Sequence, residues 1–329
     1  MNDDLLKKAY INAFSINDKY IKDMIIINTK SLIDDISQRY VKIDKNRLKD
    51  ELLYYKFYGD SIKDLNILNI LLPVIISNTN IKRSEEEVLK VIKYHILFNK
   101  HEKYMNDFII SGLMYNTLIH SIIENSALEY IDLMQKIKTN IIEFIHDMPK
   151  SEVIKFEMKR IQVIQTIDKY IDKNIMDYEE NNIIVNLLNI IYDIYVEDRE
   201  AKLEGVKSIK KSILSMLNFE LEPGLDNIDF INSMSDYIIK LRKYKIHKKT
   251  YDIKSDPRYI IGLEIGDTKS DPILNNIKVI SKEFSNNILT IGLVSKYSTK
   301  TSSLVFVKKQ SSFIRLFLRP MKSSKSVFS

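Results

Sequence analysis

The chain has no cysteine and no tryptophan, and only seven glycines and six prolines among 329 residues. Without cysteine there is no disulfide, no thiolate nucleophile and no cysteine-ligated zinc or iron–sulfur site. This suits a reducing cytosol without requiring one. The glycine-rich phosphate loops are missing too: no Gly-Lys-Ser or Gly-Lys-Thr occurs, and Gly262-Leu-Glu-Ile-Gly266 is too short and too apolar for that role. No Gly-x-Ser-x-Gly elbow exists for a serine nucleophile. Long apolar runs are also lacking. Asn69 and Pro73 interrupt Ile67–Ile76, and Asn116 and His120 interrupt Phe108–Ile123. Both stretches fall short of the roughly 18 residues a membrane span needs, so they read as buried helices. Met1-Asn2-Asp3-Asp4 is acidic where a secretory leader would be positive, and the expected location is the cytoplasm.

What is present describes a folded protein, with 45% hydrophobic and 29% charged residues. The length allows two domains or one large helical one. Isoleucine, about one residue in six, serves as the default apolar residue here, which weakens arguments from β-propensity. The net charge of +6 hides a split: −7 over residues 1–239 and +13 over residues 240–329. Phe284–Ser329 holds eight Lys or Arg and no acid. From Tyr297 onward there is no Asn, one Ile and nine Ser, a break with everything before it. A shifted reading frame over 297–329 would produce such a break. The acid-free Phe284–Ser329 also suits a β module with a cationic face for an anionic partner, or a membrane-surface element using Phe313, Ile314, Leu316, Phe317 and Leu318 beside Arg315 and Arg319.

Residues 1–240 read as helix after helix, forming an all-helical domain. Start signals recur at Ser61-x-x-Asp64, Ser84-x-x-Glu87, Ser126-x-x-Glu129 and Asp177-x-x-Glu180, where a short side chain can cap the first amides and an acid meets the helix dipole. Gly59 suits a left-handed helix end before Ser61, and Pro149 before Ser151 marks a stop followed by a new start. Met134, Ile137, Ile141, Phe144, Ile145 and Met148 follow helical spacing, as do Ile154, Met158, Ile161, Ile164 and Ile171. The two segments predict an antiparallel helical hairpin with one apolar stripe each. Ile183–Ile194 is apolar on most of its circumference and predicts a central helix. Residues 241–257 read as a basic linker. Over 258–329, short runs at Tyr259–Ile265, Ile277–Ser281, Ile288–Ser295, Leu304–Val307 and Phe313–Leu318 predict a small antiparallel β module, with Asn286-Asn287 as a hairpin turn. The fold class is mainly α, a multi-helix domain followed by this module, α+β overall.

Two groupings point to chemistry. Lys240, Arg242, Lys243, Lys245, Lys248 and Lys249 stand with Tyr244 and His247 in one stretch. Cations neutralise phosphates and tyrosines stack on bases, so the mixture suits nucleic acid or another polyanion. A solvated helix end in a lysine-rich chain is the plainer reading. The second grouping is His146-Asp147, at the end of an apolar helix, with His120 upstream and Asp168 downstream. The pair resembles the core of the HD-domain metal-dependent phosphohydrolases over about 50 residues. That resemblance implies a divalent metal held by His120, His146, Asp147 and Asp168 and activating water. Met148 and Pro149 stand where the family has a small residue and a glycine. A partly exposed helix-end histidine, and a hydrogen-bonded core histidine at 120, are the structural alternatives. The cluster Tyr54, Tyr55, Phe57 and Tyr58 reads as core before docking surface.

No catalytic set emerges from the sequence. The leading expectation is a non-catalytic helical scaffold that acts through protein contacts, needs no cofactor, and turns its basic C-terminal part toward an anionic partner. The alternative is the HD-like phosphohydrolase with its divalent metal.

Overall fold

The computed structural model describes residues 3–58, 67–145, 149–201, 203–219, 224–246, 256–285, 288–295, 302–308 and 314–320. In chain order the elements are α1 (Asp3–Asn12), α2 (Lys19–Lys30), β1 (Leu32–Asp35), β2 (Tyr40–Ile43), α3 (Lys45–Tyr58), α4 (Ile67–Ser77), α5 (Ile81–Asn99), α6 (Met105–Glu124), α7 (Tyr130–Glu143), α8 (Lys150–Ile171), α9 (Ile183–Tyr195), α10 (Glu204–Met216), α11 (Ile228–Arg242), β3 (Thr268–Asp271), β4 (Asn275–Ser285), β5 (Ile288–Ser295), β6 (Ser302–Lys308) and β7 (Ile314–Pro320). The protein is mainly α, with two small antiparallel sheets. It divides into two compact units, residues 1–44 with 63–249, and residues 45–62 with 250–329.

In the first unit α4 is buried along its whole length and packs against α2, α5, α6, α10 and α11. Such an all-round apolar helix has no solvent face to offer and takes the centre. α6 lies beside it and packs on α5, α7 and α9. Their approach is close at Gly112, where a Cβ would stand 2.7 Å from Ile92 Cδ1. α9 is buried from Ile184 to Asp193, as its apolar circumference requires. No helix among the described residues is long and apolar enough to cross a membrane.

The cap residues differ from those the spacing suggests. Asn80 caps α5 by accepting from Arg83 N, and Asn182 caps α9 by accepting from Val185 N. Ser84 instead lies inside α5, where its hydroxyl donates to Asn116 Oδ1 at 2.7 Å. Ser126 and Asp177 lie in the loops before α7 and α9. The signals at Gly59 and Ser61–Asp64 fall outside the described residues.

A two-stranded hairpin, β1 paired with β2 from Leu32↔Ile43 to Asp35↔Tyr40, interrupts the helices. Both of its outer edges are closed by side chains. Asn78 accepts from Val41 N at 2.8 Å and donates to Val41 O at 2.9 Å, in the manner of a neighbouring strand. Glu87 Oε2 accepts from Ile43 N at 2.8 Å. On the β1 side Tyr237 OH donates to Leu32 O at 2.9 Å.

The second unit is a five-stranded antiparallel sheet in the order β3-β4-β5-β6-β7, with α3 running against β6 and β7. Its core gathers Ile277 and Val279 of β4, Ile291 and Leu293 of β5, and Ile260. Strand pairing reaches Ser285↔Ile288, while Asn286 and Asn287 themselves fall outside the described residues. The run Tyr259–Ile265 is not a strand. Pro257–Gly262 is a 3₁₀ helix, because Asp256 caps it onto Arg258 N and Pro257 fits its first turn. The carboxylate of Asp271 ties the unit together. It accepts from Tyr54 OH and Tyr259 OH, and from the amides of Ile273 and Leu274, each at 2.7 Å. Tyr54 and Tyr55 are accordingly buried, while the side chains of Phe57 and Tyr58 fall outside the described set.

Candidate interaction surface

The basic stretch is divided in its use. Arg242, at the end of α11, donates to the carbonyls of Ile76 (2.8 Å) and Asn78, satisfying the C-terminus of α4. Burial pulls its pKa down. Lys243 pairs with Asp3. Tyr244 OH donates to Arg39 O at 2.6 Å, and Ile246 N donates to Asp34 Oδ2 at 3.0 Å. The last two contacts stitch residues 244–246 onto the β1–β2 hairpin. Lys240 and Lys245 are exposed. His247, Lys248 and Lys249 fall outside the described residues.

The four residues of the HD resemblance divide as well. His120, on α6, is buried with Nε2 unpartnered. Burial first, and then the nearby charges of Arg242 and Lys136, lower its pKa to about 4. Glu124, paired with Lys136 at 2.7 Å, pulls the other way. Asp168, on α8, pairs with Lys138 of α7 at 2.5 Å. His146 and Asp147 fall outside the described residues. Among those described, no group of three or more His, Asp or Glu could hold a metal ion.

A polar cluster not anticipated from the sequence surrounds Asp193, which is buried near the end of α9. Arg199 Nε donates to it at 2.7 Å, Tyr178 OH donates to its other oxygen, and Lys210 Nζ lies 3.9 Å away. Asn189 Oδ1 takes Arg199 Nη2 at 2.9 Å and Tyr170 OH at 3.0 Å. Burial, then the bond to Asp193, raises the Tyr178 pKa. The carboxylate is surrounded by donors, and the cluster fastens the segments flanking α9.

The outer face of α8 has no such internal use. α7 and α8 form the antiparallel hairpin: Tyr130 OH bonds Tyr170 O at 3.0 Å at one end, and Arg160 Nη1 bonds Phe144 O at 2.8 Å at the other. The apolar row anticipated as its inner stripe, however, faces solvent. Ile154, Met158 and Ile161 are 68%, 59% and 54% exposed. The buried stripe is Phe156, Val163, Ile167 and Tyr170, which meets α6, α7 and α9. At about 100° per residue the two rows lie on opposite sides of the helix. Ile145, read with the α7 stripe, is likewise almost fully exposed. Helical spacing marks both rows alike, so the sequence gives no sign of which one faces inward.

No family model matches the chain, and no solved structure matches it. Over 255 residues, 74% of its length, the chain is 26% identical to Protein PFC0760c of Plasmodium falciparum (isolate 3D7). It spans 6% of that protein's length, and the likeness places it in no family.

Proposed function

We propose that this protein is a non-catalytic helical scaffold working through protein contacts, and that the outer face of α8 makes the principal one. One observation carries the reading: a second apolar row, Ile154–Met158–Ile161, exposed on a helix whose opposite side already fills the core. Leaving three large apolar side chains in water gains nothing for folding, and a contiguous apolar row of this kind marks contact sites on soluble proteins. The basic part around Lys240, Lys245 and His247–Lys249 is a separate, electrostatic surface for an acidic partner such as nucleic acid, in keeping with the +13 charge of residues 240–329. The setting we infer is the cytoplasm.

The test is in-cell crosslinking of the full chain against the triple variant Ile154→Ser/Met158→Ser/Ile161→Ser. A crosslinked protein that disappears with the variant, and binds again when both are purified, is the expected result. An identical crosslinking pattern for the two chains would remove the reading. For the basic surface, a single-stranded oligonucleotide titrated at increasing salt should lose affinity steeply. No binding at low salt ends that part.

A further inference from the structure

The charges bordering the α8 row identify the chemistry of its partner. We propose that this face receives an acidic amphipathic helix, a reading that rests on the protein-contact function above. Along one flank of the row runs an open groove of about 260 Å³ between α8 and the start of α6, with Lys103, Lys155 and Lys159 on its walls and Met158 among its lining residues. Its one carboxylate, Asp107, is taken by Lys159 at 2.5 Å. Lys103 lies over the ring of Tyr104, 4.5 Å from its centroid, and Lys155 has only a loose contact with Glu152 at 3.6 Å. The groove therefore keeps a net positive charge.

On the other flank Lys150 is exposed at the start of α8. Glu157 is paired with Arg160, whose guanidinium also reaches back to Phe144 O. An apolar row bounded by lysines on one side complements a helix with an apolar stripe bounded by carboxylates. Anchors at i, i+4 and i+7 are the spacing by which one helix reads another. Carboxylates over the groove would meet Lys103 and Lys155, while the apolar stripe covers Ile154, Met158 and Ile161. A second copy of this chain fits less well, since antiparallel pairing of two α8 faces brings equal flanks together and sets lysine toward lysine.

Two synthetic helical peptides of about 20 residues test this. They share a leucine row at helical spacing, with glutamates on its borders in one and lysines in the other. Fluorescence anisotropy with the full chain at low salt should show the glutamate peptide binding at least about tenfold more tightly. The triple serine variant should lose that binding, and Lys103→Glu/Lys155→Glu should shift preference toward the lysine peptide. Equal binding of both peptides, binding of neither, or binding unchanged in the serine variant overturns the proposal. A dimer seen by sedimentation and abolished by the serine variant also overturns it, by naming a second copy as the occupant. Crosslinking abolished in the serine variant, without preference for the acidic peptide, would sink this inference alone and leave the contact function standing.

Discussion

His95 Nε2 lies 2.9 Å from Asn28 Oδ1 in the buried interior of the helical unit, and Asn28 Nδ2 donates to Ile70 O at 2.8 Å. The second bond fixes the amide, so Oδ1 faces the imidazole and Nε2 must carry the proton. Nδ1 is then bare, with no partner. Protonating it would bury an unpaired cation, and burial holds the pKa down to about 3.

That depression sets a pH dependence. In the unfolded chain the same imidazole takes up a proton below about 6.5. Between 6.5 and about 3 the unfolded state therefore binds more protons than the folded one. Stability is full above pH 6.5 and falls as the pH drops, by about 1.4 kcal/mol per pH unit for this group. His120 adds to the slope down to about pH 4. Urea unfolding at pH 7 and at mildly acidic pH should show the loss, and His95→Gln should flatten it. An equal slope in the variant would refute the assignment.

The β2 edge makes a second expectation. Val41 and Ile43 are buried and their outward backbone groups are met by side chains, with Asn78 serving two of them and Glu87 one. Asn78→Ala strands both groups of Val41 and should cost about 2–4 kcal/mol. Asn78→Asp keeps the acceptor but sets a carboxylate against Val41 O, and should cost at least as much. Glu87→Gln retains an acceptor for Ile43 N and should cost less than either. Chemical denaturation of the three variants ranks them, and a milder effect for Asn78→Asp than for Asn78→Ala would contradict the geometry.

Much of the architecture was legible because the governing forces are local. Ile67–Ile76 declared a buried helix by composition, Pro149 separated α7 from α8, and the runs at Ile277–Ser281 and Ile288–Ser295 lie in β4 and β5. The hairpin at Leu32–Ile43 was not legible. Its strands are four residues each, and the groups that close its edges come from Asn78, Glu87 and Tyr237, far away in sequence. The outer row of α8 is visible in the sequence, but period alone does not say which of two rows meets the core. Arg242 read as one cation among many, because nothing local announces that the carbonyls of Ile76 and Asn78 need it.

The Asp193 cluster should respond sharply to loss of its centre. Asp193 is buried, and so for the most part is Lys210, with Arg199 beside them. Asp193→Ala takes the acceptor from Arg199 Nε and Tyr178 OH, while Lys210 keeps Asp198 at 2.7 Å and Arg199 O at 2.8 Å, and should cost about 2–4 kcal/mol. The exposed pair Arg83–Glu86 on α5 offers a contrast, since Glu86→Ala should change stability by less than about 1 kcal/mol. Thermal unfolding of both variants decides the matter, and similar melting temperatures would mean the cluster does not hold α9 as described.

The last expectation separates structure from function within the basic stretch. Arg242 is spent on the end of α4, where Arg242→Met would leave the buried carbonyls of Ile76 and Asn78 without their donor, at about 2–4 kcal/mol. Lys240 and Lys245 face solvent, so Lys240→Ala/Lys245→Ala should move stability by no more than about 0.5 kcal/mol. Oligonucleotide binding should show the reverse. The double lysine variant should weaken it and shrink its salt slope by roughly 0.7 for each phosphate left without a lysine. Arg242→Met, measured where it remains folded, should bind as the unaltered chain does. Should Arg242→Met instead abolish binding while leaving the unfolding midpoint in place, the guanidinium would belong to the anion surface and not to the α4 cap.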